Sequence, residues 1–141
     1  MQALYFAYGS NLSSARMQRR VPSAQSLGLA RLNGYRLTTD KAGRDGTGKA
    51  NLRVAAESVV WGVVWQLEHH EWPLLDACER GYARIDVALA GAAPAAQTYL
   101  SRQLTDDPVL ALAYRDIIVA GAREHALPLA WIEALERMPA R

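Results

Sequence analysis

With Cys78 as its sole cysteine, the chain has no internal disulfide to staple it, and a reducing compartment is the natural setting for such a protein. No stretch approaches the roughly 18 consecutive apolar residues of a membrane span. Met1–Tyr5 lacks the basic start and extended apolar segment of a signal peptide. The expectation is a cytoplasmic protein with no membrane partner. Net charge is also small, at +2. The basic residues, all arginine except Lys41 and Lys49, are scattered along the chain. Their densest group, Arg16, Arg19 and Arg20, reads as a solvated helix face. Nucleic-acid binders concentrate such charge on one face or stripe, so no nucleic-acid partner is expected. Repeats, low-complexity tracts and linkers are missing too. What is present is 141 residues, half of them apolar, which predicts one domain over 1–141 with a core that needs no staples.

Ala3–Ala7 is a short apolar run closed by Gly9-Ser10-Asn11, the pattern of a buried strand ending in a turn. Asn11 or Ser13 can cap a short helix through Gln18, which Pro22 stops. Leu27–Asn33 and Tyr35–Thr39 read as strands joined by a hairpin at Asn33-Gly34, and Asp40–Ala50, rich in glycine and charge, as an exposed loop. Val59–Leu67 is β-branched and aromatic, hence a strand, with Gly62 marking a bulge or a close backbone approach. Pro73 opens a helix running to about Glu79. Alternation at Ile85, Val87 and Leu89 gives a half-buried strand, Gly91–Pro94 a turn, and Gln97–Gln103 a further strand. Asp107-Pro108 reads as the start of a helix carrying Leu110, Tyr114, Ile117, Ile118 and Gly121 at helical spacing. Pro128 separates it from a last helix over Leu129–Arg137. The order implies an α+β fold with a largely antiparallel or mixed sheet.

Several chemical motifs fail on inspection. Gly43…Gly48-Lys49 matches a phosphate-binding loop, but Ala50 lacks the hydroxyl such a loop offers to magnesium, and strand-like residues follow instead of a helix. His69-His70-Glu71 are neighbours that share no helix face, His125 stands alone, and no ligand cluster has zinc-like spacing, so no metal is expected. Cys78, on a helix rich in leucine and alanine, reads as a small packed apolar residue.

Two features carry more. Tyr8-Gly9-Ser10-Asn11-Leu12 brings a glycine turn from a buried strand directly onto a helix start. Glycine permits close backbone approach to a ligand, and free turn amides suit a carboxylate. Glu79 ends a predicted helix just before Gly81, where the negative end of the helix favours its protonated form. That suits a proton-transfer group.

Tyr5-Phe6-Ala7-Tyr8-Gly9-Ser10-Asn11-Leu12 resembles the signature of the γ-glutamylcyclotransferases. Val21–Ala24, Ala30–Leu37, Val60–Trp65, Leu75-Asp76…Glu79 and Tyr114…Ile117-Ile118…Gly121-Ala122…Leu127-Pro128 follow in the family's order, so the resemblance spans nearly the whole chain. It implies a small mixed β-barrel flanked by helices. It also implies release of 5-oxoproline, as the α-amine of a γ-glutamyl group attacks its own γ-carbonyl and expels the attached amine. Tyr5, Phe6, Ala7, Tyr8, Gly9 and Ser10 would form the segment that binds the glutamyl moiety, with Asn11 supporting it. Tyr114 would hydrogen-bond the substrate and Glu79 would be the acid/base. The resemblance implies an acyltransferase with a small-molecule partner and no cofactor or metal, and it is compatible with a homodimer. Arg80 replaces the family's usual glycine after the glutamate, and the short loop leaves only Tyr82 as counterpart of a tyrosine often found there. Both departures bear on the leaving group. The expected substrate is a γ-glutamyl amino acid or γ-glutamyl amine. Asn11 after Tyr-Gly-Ser argues against the glutathione-degrading branch, and a non-catalytic relative binding a glutamyl-like metabolite is the alternative.

Overall fold

A computed structural model describes residues 1–91 and 95–141. In chain order it contains β1 (Gln2–Ala7), α1 (Ser14–Arg20), β2 (Gln25–Ala42), β3 (Gly48–Glu68), α2 (Trp72–Cys78), β4 (Ala83–Val87), β5 (Ala96–Leu100), α3 (Leu112–Glu124) and α4 (Leu129–Glu136), with 3-10 turns at Ser10–Leu12 and His69–Glu71. The five strands form one sheet in the order β2-β3-β1-β5-β4. β1 is central, antiparallel to β3 on one side and parallel to β5 on the other. The α+β reading with a mixed sheet holds. The barrel does not close: β2 and β4 are edges, and β2 meets the far side through isolated bonds to residues beyond β4 and β5, Ala90 N to Arg31 O at 2.9 Å and Ala42 N to Gln103 O at 2.7 Å.

The apolar run of β1 forms a strand because both faces are covered. Tyr5, Phe6 and Ala7 are buried, as are Val60, Val63, Val64 and Trp65 of the neighbouring β3. Gly62 marks a close approach, since a Cβ there would lie 2.2 Å from the Ala7 carbonyl oxygen. Ser13 caps α1 by accepting from Arg16 N, and Pro73 occupies the first turn of α2.

Three local expectations change. Asn33-Gly34 makes no hairpin: a two-residue turn of that type needs positive φ at both residues, and only Gly34 adopts it, at +85°. The ladder with β3 instead shifts register between Asn33 and Tyr35, a bulge within one long strand. The reversal falls inside the segment read as an exposed loop. Strand pairing runs to Ala42↔Gly48, Gly43 N bonds Thr47 O at 2.8 Å, and Asp40, Lys41 and Ala50 are buried. Asp40 tolerates burial because Thr38, Arg53 and Asn51 donate to its carboxylate. Finally, α3 starts at Leu112 rather than Asp107-Pro108. The carbonyls of Pro108 and Val109 already accept from Thr39 Oγ1 and Gly48 N, which holds that segment extended. Of the turn expected over Gly91–Pro94, all but Gly91 lies outside the described residues. Among the described residues, no helix is long and apolar enough to cross a membrane.

Candidate active site

The C-terminal end of β1 delivers the chain into the Ser10–Leu12 turn, closed by Leu12 N to Gly9 O at 3.0 Å. The Ser10 and Asn11 amides precede that bond and have no partner within the turn. Two elements clamp it. Trp65 of β3 donates from Nε1 to Asn11 O at 3.0 Å. α3 lies directly on the turn at Gly121, where a Cβ would come within 2.6 Å of Leu12 C and Ser13 N.

Asn11, buried beneath this turn, is a hub. Its Nδ2 donates to Glu79 Oε1 at 2.7 Å and to the Tyr5 hydroxyl at 2.9 Å, while Oδ1 accepts from Arg20 Nη1 at 3.1 Å. Arg20 Nη1 also reaches Glu79 Oε1 at 3.3 Å. Glu79 itself is the residue that ends α2. Gly81, at φ +83°, then turns the chain so that Tyr82 N bonds Glu79 O at 3.2 Å. Burial pushes the Glu79 carboxyl up from its ordinary value, opposed by Arg20, the Asn11 hydrogen bond, Arg16 and Lys41. The outcome is a carboxyl that binds a proton more tightly than a solvated one yet sits among groups that stabilise its charge.

Tyrosines build the walls. Tyr8 donates to Tyr99 O and Tyr82 to Ala50 O, each at 2.6 Å, so both hydroxyl hydrogens are committed. Tyr5 and Tyr114 differ: their oxygens accept, from Asn11 Nδ2 and from Ala50 N at 3.1 Å, which leaves each hydroxyl hydrogen free to donate. Burial pushes the Tyr114 phenol up to about 12 and raises Tyr5 as well, so both stay protonated donors near neutral pH. Tyr5 and Tyr82 each pack edge-on against Tyr99. The pocket between them has about 20 Å³ of free space. At Glu79, Tyr82 and Tyr114 it meets a wider vestibule of about 560 Å³.

The family model described as "Gamma-glutamyl cyclotransferase, AIG2-like" matches residues 5–116. Human "Gamma-glutamylcyclotransferase" is 34% identical over 145 residues, covering 94% of this chain and 77% of the relative, and the mouse protein of the same name is 31% identical with the same coverage. A solved structure named "Gamma-glutamyl cyclotransferase" superposes with a TM-score of 0.92 at 30% identity, covering 100% of this chain and 90% of the other. The chain belongs to the γ-glutamyl cyclotransferase family.

Of the positions that family signature singles out, Tyr5, Tyr8, Gly9, Ser10, Asn11, Glu79 and Tyr114 line the one small pocket. Phe6 and Ala7 do not. Their side chains are fully buried in the core, and their carbonyls face Thr98 Oγ1 (2.6 Å from Phe6 O) and Gly62. Tyr82 does reach the pocket wall. Two readings of the sequence are corrected. Arg16 and Arg20 are not a solvated face: they stand one helical turn apart on the side of α1 that faces Glu79, and only Arg19 of the group is exposed. Cys78 is not packed; it is exposed at the end of α2 on the vestibule wall.

Sequence reasoning also missed Tyr99, Ala50, Lys41 and Lys49 as lining residues. The i, i+4 spacing of Arg16 and Arg20 directly after the glycine turn was the available signal. The others arrive through strand pairing that no local pattern encodes. Among the described residues no cluster of metal-binding side chains occurs. Glu71 instead caps its own 3-10 turn, and His125 sits edge-on against Trp65.

Proposed function

We propose that this chain is an active γ-glutamylcyclotransferase, an acyltransferase that moves the γ-glutamyl carbonyl from a bound amine onto the substrate's own α-amine. The observation that carries the reading is Glu79, a buried carboxyl with raised proton affinity, held by Asn11 against the Gly9–Asn11 turn. The substrate's α-ammonium, with an ordinary pKa of about 7.7–8.0, gives one proton to the Glu79 carboxylate. The freed amine bonds the γ-carbon, and the carbonyl electrons move onto oxygen. Turn amides beside Gly9 and the free hydroxyl hydrogens of Tyr5 and Tyr114 are the donors available to that oxyanion and to the substrate carboxylate. Collapse re-forms the carbonyl and breaks the bond to the leaving nitrogen, which takes the proton back from Glu79. The ring nitrogen sheds its second proton by the same route, so two protons pass in turn through Glu79 to the leaving nitrogen, no water is consumed, and the products are 5-oxoproline and the departed amine in its ammonium form.

Attacker and target belong to one molecule, so freezing the folded rotamer supplies much of the acceleration. The pocket's free space is that of a water-sized group. A glutamyl chain is larger, so binding displaces a side chain. Arg20, bridging Asn11 and Glu79 on the vestibule side, is the group placed to move. A cytoplasmic location, suited to the exposed thiol of Cys78, belongs to the same proposal.

The test is 5-oxoproline release from a panel of γ-glutamyl compounds by the native protein and by Glu79→Gln. Because burial holds the Glu79 pKa above its unfolded value, that site stabilises the fold fully below the unfolded pKa, and the contribution is lost as pH rises through the folded one. The neutral isostere therefore keeps the fold near neutral pH. Release by the native protein that is lost in the folded variant is expected. Undiminished release by Glu79→Gln refutes the assignment. No release from any compound by a folded native protein favours a relative that only binds.

A further inference from the structure

The vestibule outside the pocket has an unusual charge balance. Arg16, Arg20, Lys41, Arg44, Lys49 and Arg80 line it, and Glu79 is its only acidic lining residue. They come from three places: α1, the β2–β3 hairpin with its connecting loop, and the residue after Glu79. Arg20 is paired with Glu79, and Lys49 reaches Asp45 at 3.4 Å. Among the described residues, no carboxylate lies within salt-bridge distance of Arg16, Lys41, Arg44 or Arg80.

This arrangement is built rather than incidental. Lys41 is only 7% exposed, with its ammonium 5.2 Å from the Tyr82 ring centroid, and the Lys49 ammonium lies 4.5 Å from that of Tyr114. Both cations are thereby held against the tyrosines that separate pocket from vestibule. Arg16 keeps a buried Nε with no hydrogen-bond partner. Unpaired cations crowded in a concave site repel one another, and an anion that fills the site relieves this.

Resting on the cyclotransferase reading, we propose that the leaving half of the substrate is polyanionic: a γ-glutamyl compound whose departing amine carries two or more negative charges, as in an acidic amino acid. The leaving nitrogen must lie beside Glu79, and Glu79 stands where pocket and vestibule join, so whatever hangs from that nitrogen extends into the vestibule. A single carboxylate leaves most of these cations uncompensated. A neutral amine compensates none, and a cationic one adds to the repulsion. Arg80, directly after Glu79, contributes one of the exposed charges.

The experiment compares γ-glutamyl-glutamate, γ-glutamyl-alanine, γ-glutamyl-ethylamide and α-linked γ-glutamyl-lysine. It follows 5-oxoproline release by the native protein and calorimetric titration into Glu79→Gln, which reports binding without turnover. The expected order is diacid, monoacid, then neutral and basic compounds, with steps of about tenfold in kcat/KM and in affinity. The diacid advantage shrinks as salt rises from low to physiological strength, and it collapses toward the monoacid in Arg44→Gln/Arg80→Gln, whose two sites are exposed. Equal or greater preference for the ethylamide or lysine compound, or a diacid advantage indifferent to salt and to the double variant, overturns the proposal. So does titration that detects no diacid binding. Absence of 5-oxoproline with the charge order intact in the titrations instead defeats the cyclotransferase reading alone.

Discussion

Replacing Asn11 by alanine tests the hub of the site more sharply than removing Glu79. Asn11 Nδ2 gives Glu79 Oε1 a 2.7 Å hydrogen bond, short enough to count as charge-assisted when the carboxyl is ionised. A hydrogen bond to a charged group contributes about 1.5–3 kcal/mol. Its loss therefore changes the proton affinity of Glu79. The lost bond favours the carboxylate, so the shift is upward, adding to the elevation that burial already imposes. In the proposed reaction ionised Glu79 accepts the substrate's proton, so the acidic limb of the kcat/KM profile moves to higher pH. The same substitution strands the Tyr5 hydroxyl without its donor and Arg20 without one acceptor, at a cost of about 1–3 kcal/mol in stability. The assay is 5-oxoproline release from about pH 4.5 to 9.5, with thermal unfolding as the check on folding. A folded variant whose acidic limb stays in place, or moves down, refutes Glu79 as the group that titrates in that limb.

Tyr114→Phe removes the oxygen that accepts from Ala50 N and the free hydroxyl hydrogen beside the pocket. At about 0.5–1.5 kcal/mol per neutral hydrogen bond, kcat/KM falls about two- to twelvefold with the pH profile unmoved; unchanged kinetics would return Tyr114 to a packing role. Gly121→Ala places a methyl 2.6 Å from the Leu12–Ser13 backbone, so α3 must back away from the turn. The expected loss is about 1–3 kcal/mol of stability, with activity at permissive temperature falling as well; native-like melting and rate would show that the contact is slack.

Much of this site was readable because its parts sit at element ends that announce themselves. Tyr8-Gly9-Ser10 follows the apolar run Ala3–Ala7, Ser13 caps the next helix, and Pro73 fixes the helix that Glu79 ends. The environment of Glu79 was less legible. The sequence reading invoked the helix end, whereas burial is the larger cause of its raised proton affinity, and burial depends on Tyr5, Tyr82 and Tyr99 arriving from three different elements. The β2–β3 hairpin was misplaced for a related reason. Asn33-Gly34 is the stronger local turn signal, but the register that buries Leu32, Leu52 and Val60 turns it into a bulge, and the reversal moves to the polar segment after Ala42. That displacement hid the cationic vestibule, since Lys41 and Lys49 face each other across the ladder only once the hairpin closes there.

In the proposed reaction Glu79 must do two opposed things, and its surroundings contain a cause for each. Burial alone would hold the proton and leave no base to start the reaction. Cations alone would hold the carboxylate and leave nothing to return to the departing nitrogen. Here burial prevails, but Arg20, Arg16 and Lys41 pull the other way, and all three line the vestibule. Specificity and proton affinity are therefore not separate properties of this fold. An anion entering beside those residues offsets their field, which raises the affinity of Glu79 for a proton at the moment the substrate's ammonium must release one. With the proposed polyanionic leaving group, departure of the product returns the full field and restores the carboxylate for the next turnover.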